Sequence, residues 1–191
     1  MMDNLSTEKT DRELQKNKAR FILNQGAFMG LALAGVFWFT QVTGLETSFL
    51  NNVLTWLVYI GFIHISMVRY RQNYLGGLLG YGQGVWLGTR MGMLAGIILG
   101  AWMFLYMKVI NPGYTDELIV QMQESYLSMG MSENEVAQME DLFSLVANPA
   151  LMITSGVFGA GFTALLFSLI IAIFQRRRPQ DPFSNAMKNI E

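Results

Sequence analysis

The sequence predicts an all-α, polytopic membrane protein of four transmembrane helices, with an amphipathic helical loop between the third and fourth. Three observations predict it. Apolar residues make up 52% of the 191-residue chain and charged residues only 14%, outside the ordinary soluble balance. The apolar residues are gathered into four long stretches almost free of charge. Lysine and arginine then fall in alternate links between those stretches, the pattern that fixes orientation in a bilayer.

The stretches run from Phe21 to Gly44, Phe49 to Val68, Met91 to Ile110 (interrupted only by Lys108) and Ala150 to Phe174. Each reaches the roughly 20 residues a helix needs to cross a hydrocarbon core of about 30 Å. Four helices apolar on every side would bury one another only in part, so lipid is the solvent that suits them. The expected organisation is a cytoplasmic segment 1–20, a transmembrane domain 21–175 and a basic cytoplasmic tail 176–191. Within the domain, spans are expected near 21–44, 49–68, 84–110 and 150–175, with an outer acidic loop over 111–148. The first span is too long, and too far behind a charged segment, to be a cleaved signal peptide, and is expected to be retained.

Orientation follows from the bases. Lys9, Arg12, Lys16, Lys18 and Arg20 precede the first span, Arg69 and Arg71 follow the second, and Arg176, Arg177, Arg178 and Lys188 follow the fourth. The link at Leu45 to Ser48 has no base, and the one from Asn111 to Asn148 has none beside seven acids. A multi-pass protein with both ends in the cytoplasm is expected. Aromatics fit the same frame, with Trp38, Trp102, Tyr106 and Tyr114 toward the outer interface and Tyr70, Tyr74, Tyr81 and Trp86 toward the inner.

The most ordered feature is a glycine at every fourth position: Gly76, Gly80, Gly84, Gly88, Gly92, Gly96 and Gly100. On a helix such a row drifts about 40° per step and lets a neighbouring backbone approach closely. The fourth span carries a matching row, Gly156, Ala160, Ala164, Ser168 and Ala172, and the first offers Gly26, Gly30 and Ala34. These rows can pack helices within one bundle, form a homodimer face or line a groove. The uncharged stretch Gln72 to Thr89 is expected to prolong the third helix.

In the long loop, Asn111-Pro112-Gly113 stops the third span. A helix capped by Thr115 and closed by Gly130 is expected next. A second follows, opened by Ser132 with Glu135 as a capping box and ended by Asn148-Pro149, its apolar face being Val136, Met139, Phe143 and Val146. The acids lack the alternating oxygen pattern of a calcium loop, and the methionines Met122, Met129, Met131 and Met139 read as gap-fillers rather than copper ligands.

No span contains Asp or Glu, the usual mark of ion-coupled transport. The polar candidates are His64 and Arg90, able with Arg69 and Arg71 to form an anion or lipid-headgroup site; the alternative is that Arg90 snorkels and His64 packs as a neutral residue. One histidine and no cysteine leave no recognisable catalytic or metal constellation, so neither enzyme activity nor a cofactor is expected. The bases are juxtamembrane, which argues against nucleic acid and for anionic lipid as the partner of the Arg176–Arg178 run.

The order Tyr70-Arg71, Tyr81-Gly82-Gln83, Ile110-Asn111-Pro112, Gly130-Met131-Ser132 and a last span closed by bases resembles the bacterial membrane family called domain of unknown function 4199. The resemblance implies a four-helix protein of the bacterial inner membrane and supplies no activity or functional residue. Two functions are compatible with the sequence. One is a non-enzymatic accessory or scaffolding subunit that meets a membrane-protein partner or a second copy through its small-residue faces. The other is a site for a small solute or lipid.

Overall fold

The computed structural model describes residues 2–45, 48–145 and 148–177. Val146 of the expected apolar face, and Arg178 and Lys188 of the basic tail, lie outside the described residues. The described residues form seven α-helices: α1 (Met2–Thr43), α2 (Phe49–Tyr74), α3 (Tyr81–Leu105), α4 (Tyr114–Ser128), α5 (Glu133–Ala137), α6 (Glu140–Ser144) and α7 (Pro149–Gln175). Four of them, α1, α2, α3 and α7, are long and apolar enough to cross a membrane. No β-strand occurs among the described residues.

α1 is longer than its span. The charged run from Asp11 to Arg20 continues the same helix, because Glu, Leu, Gln, Lys and Arg are strong helix formers; Glu13 and Lys16 pair along it at 3.7 Å. The helix closes at Gly44, whose φ of +66° suits glycine alone. α2 starts on the side chain of Ser48, which accepts from the Leu50 N–H.

The expectation that the third helix extends back through Gln72 holds only from Tyr81. Residues Leu75 to Gly80 form a turn, with Gly76 and Gly77 at φ of +57° and +86°. Gly76 and Gly80 therefore leave the glycine row. The turn is pinned to the end of α7 by paired backbone bonds between Leu79 and Arg177, at 3.1 and 2.9 Å. We call this the turn end of the bundle, and the opposite one, carrying α4 to α6, the loop end.

At the loop end α3 runs on as a π-helical turn, Tyr106–Ile110, before Asn111 leaves helical geometry ahead of Pro112. Gly113, not Thr115, caps α4, placing Thr115 inside the helix. The capping box forms: Ser132 Oγ accepts from the Glu135 N–H while the Ser132 N–H donates to Glu135 Oε2 at 2.8 Å. The single second helix expected here is two short ones, broken at Gln138 and Met139. Asn148 opens α7 rather than ending α6, its side chain accepting from Ala150 N–H with Pro149 in the first turn.

α3 is the axis of the bundle. It packs most extensively on α7, next on α1, and least on α2, which leans instead on α1 and α7. Gln25 of α1 accepts from the buried Ser66 hydroxyl of α2 at 3.3 Å. At the loop end Phe37, Tyr106 and Tyr114 meet edge to face, and Gln41 donates to the Tyr114 hydroxyl at 3.2 Å. At the turn end Phe21, Tyr70 and Tyr74 cluster. The two aromatic groups thus stand at opposite ends of the spans, the depth at which amphipathic rings settle in a membrane.

Candidate functional site

The small-residue rows of α3 and α7 are turned toward each other. A Cβ placed on Gly84 would meet Ala172, on Gly88 Ser168, and on Gly92 Ala164 together with the Ala160 carbonyl oxygen. On Gly96 it would strike the backbone of Gly156, whose own Cβ would lie 2.8 Å from the Gly96 oxygen and 3.3 Å from Gly100. The antiparallel helices therefore approach closely over five consecutive steps, with α7 side chains against Gly84 and Gly88 and backbone against backbone at Gly92, Gly96 and Gly100. The Ser168 hydroxyl is fully buried with no hydrogen-bond partner among the described residues. It lies where a Gly88 side chain would be, so any larger residue at 88 would displace it.

α1 uses the other side of α3. Cβ atoms on Gly26 and Gly30 would lie 2.9 Å from the Cβ atoms of Leu94 and Ile98. Gly35, Gly61 and Gly159 have nothing within 4 Å of a Cβ.

α7 has a second row two residues out of phase with the first, Phe158, Phe162, Leu166, Ile170 and Phe174, and all of these are exposed. Two residues is about 200° of helix. One face of α7 is thus small and buried, the other large and outward, and polarity distinguishes neither.

Against α2, α7 does not close. A cleft of about 800 Å³ lies between them toward the loop end. Trp56 and Tyr59 of α2, Leu99 and Met103 of α3, and Phe158 and Ala160 of α7 line it. Leu118 of α4 and Leu142 of α6 close it toward the loop end. Below it, Tyr59 stacks on Phe167 with ring centroids 5.9 Å apart. Threonines Thr55 and Thr163 supply hydroxyls on facing walls. Among the described residues no Asp, Glu, His, Lys or Arg lines the cleft, an apolar lining with few polar groups of the kind that holds small apolar molecules.

The four polar candidates from the sequence divide into different places. Arg71 Nη1 donates to the Gln175 carbonyl at 3.2 Å and to its Oε1 at 3.3 Å, and Gln175 Nε2 reaches His64 Nδ1 at 3.2 Å. His64 and Arg71 are seven residues apart, almost two turns, and so share a face. Arg69 is on another side of α2 and exposed. Arg90 lies on α3 with its guanidinium 4.7 Å above the Trp86 ring. It lines a smaller notch with Lys18, Gln83 and Tyr70. Sequence reasoning missed the cleft residues and Lys18 as parts of sites. The hydroxyls in otherwise apolar spans were their only sequence signal.

Among the described residues no group of three or more His, Cys, Asp or Glu side chains is arranged to hold a metal ion.

Fold and site together define a multi-pass membrane protein with a sealed helix pair and a lateral apolar cleft. A family model described as "Protein of unknown function (DUF4199)" matches residues 24–177. The chain belongs to that family. No curated protein matches the chain, and no solved structure matches it.

Proposed function

We propose that this protein is a non-enzymatic membrane protein that takes the hydrocarbon part of a lipid or lipid-like amphiphile into the cleft between α2 and α7. The observation that carries this reading is the cleft itself. Its volume of about 800 Å³ falls in the range of roughly 300–1,000 Å³ typical of small-molecule sites. It opens sideways from helices that cross the membrane, so acyl chains are the molecules at its mouth. Thr55 and Thr163 offer hydrogen bonds to an ester or hydroxyl, and Tyr59 is the one titratable side chain in the lining.

Gly159 faces the cleft with no atom within 4 Å of a Cβ, so Gly159→Phe fills the space without touching the helix seam. Mass spectrometry of lipid retained through purification in mild detergent should show a tightly held species in the unaltered protein that Gly159→Phe loses. Gly35→Phe, on an open face of α1, should keep it. Equal retention in all three would sink the reading.

A second reading, an accessory or scaffolding subunit, is favoured by the loop helices. Leu127 and Met129 lie outside the candidate spans, yet are 40% and 70% exposed, and apolar surface of that kind suits a partner. With the seam of α3 and α7 occupied inside the chain, such a partner would dock on α4 to α6. Crosslinking in native membranes followed by mass spectrometry should then return one protein joined to that region.

The charge pattern supports placement in a bacterial inner membrane with the turn end cytoplasmic. A membrane-impermeant thiol reagent on intact cells should label Gln121→Cys and spare Gln72→Cys; the reverse would invert the protein.

A further inference from the structure

The notch at the turn end is a different place from the cleft and has the opposite chemistry. It measures about 240 Å³ and is enclosed by α1, the end of α2 and the first turns of α3. Gln15, Lys18, Tyr70, Gln83, Trp86 and Arg90 supply its polar and aromatic lining. Among the described residues two cations line it and no carboxylate does. Neither Lys18 nor Arg90 has an ion-pair partner among the described residues.

Arg90 begins more than two turns inside α3, but helical side chains lean toward the N-terminus. Its guanidinium lies over Trp86, one turn back, which carries the charge out of the apolar span toward the level of Lys18. Stacking on Trp86 restrains one face of the guanidinium and leaves its edge donors free to face the notch. The amides of Gln15 and Gln83 and the Tyr70 hydroxyl add neutral donors. The notch opens where the apolar part of α1 begins, at Phe21, the depth of headgroups in a spanning helix.

We propose that this notch binds a phosphate group, held by Arg90 and Lys18 and steadied by the neutral donors. Arginine presents a planar fork that pairs with phosphate oxygens two at a time, and lysine acts as a point charge beside it. The phosphate can arrive on an anionic phospholipid headgroup or free in solution, and both have the same oxygens.

Native mass spectrometry of the full chain, with phosphatidylglycerol or phosphatidylcholine titrated into detergent micelles, tests this. Phosphatidylglycerol should be retained preferentially. Arg90→Gln and Lys18→Gln should each weaken that retention roughly fivefold, as expected for one interfacial charge, while Arg90→Lys keeps part of it. Helix content by circular dichroism should be unchanged in all three. Lys108→Gln, an exposed base at the opposite, loop end of the bundle, should leave retention as it was. Displacement of the lipid by millimolar inorganic phosphate would identify a soluble phosphate ligand, and persistence against it a lipid headgroup. Equal retention of the two lipids would overturn the proposal, because the anionic charge would then not be read, and so would an equal loss with Lys108→Gln, because attraction would then be diffuse.

Discussion

α7 meets α3 and α2 in two different ways. Toward α3 it presents Gly156, Ala160, Ala164, Ser168 and Ala172, and the backbones close until no Cβ fits at Gly92 or Gly96. Toward α2 it makes contact through Phe167 stacked on Tyr59, and beyond that contact small groups such as Gly159, Ala160 and Thr163 leave about 800 Å³ between the helices. In water, the polar and apolar faces of a helix decide which side is buried. In lipid both sides are apolar, and side-chain size takes over that role. The seam is then the rigid part of the molecule and the cleft the adaptable part.

The strongest way to break this comparison is to force a side chain into the seam. Gly92→Leu and Gly96→Leu would each strike backbone of α7, which cannot move aside as a side chain can. Overpacking of ordinary cores costs about 1–3 kcal/mol, and contact with backbone should put these variants at or above the upper end. Reversible unfolding in mixed micelles should show the loss, or the protein should fail to accumulate. Variants that accumulate normally, unfold at the usual midpoint and only lose self-association would mean that the glycines face a second copy.

A finer test uses alanine and predicts a change of sign. At Gly92 a single methyl meets Ala164 and the Ala160 carbonyl, so Gly92→Ala should destabilise by about 1–3 kcal/mol. At Gly61 the same methyl meets nothing within 4 Å, and Gly61→Ala should stabilise by up to about 1 kcal/mol through helix propensity. Equal effects at the two positions would show that the seam is looser than its geometry.

These contrasts also mark what could be read from the sequence. The spans were legible because hydropathy acts over 20 residues and needs no partner. The register of the seam was legible because a four-residue repeat stays close to one helical turn, so Gly84 through Gly100 and Gly156 through Ala172 could be set against each other. The turn at Leu75–Gly80 was not, because glycines at the same spacing serve a helix and a turn equally well until their φ angles are known. The grouping of His64, Arg69, Arg71 and Arg90 used depth alone. Depth ignores direction around the helix, and direction sends His64 and Arg71 to Gln175 but Arg90 to Trp86. The cleft was invisible because it depends on how far apart α2 and α7 stand.

The clasp on the open side gives a smaller effect. Arg71 and His64 both hold Gln175 and tie α2 to α7 at the turn end, where no small-residue seam does so. Gln175→Ala removes the side-chain half of that clasp and leaves the Arg71 bond to the Gln175 carbonyl. A loss of about 1 kcal/mol is expected, with faster hydrogen exchange confined to the last turns of α2 and α7. A change spread through α3 would instead mean that the two sides are one cooperative unit.

The smallest effect belongs to the loop end, where a capping box opens α5. The Glu135 carboxyl is held below its usual range first by the Ser132 backbone N–H and then by the Ser132 hydroxyl. A carboxylate with a lowered folded-state value favours the folded helix fully above its unfolded value and loses that contribution as pH falls through the lowered one. Hydrogen-exchange protection at 133–137, taken relative to the intrinsic rate at each pH, should therefore be full at neutral pH and fall below the ordinary glutamate range, near pH 4, while the α3–α7 seam stays protected. Glu135→Gln should remove the pH step and leave the spans untouched. If acid instead opened the seam and α5 together, the loop would be part of the rigid unit, and the cleft beneath it would have a fixed roof in place of a movable one.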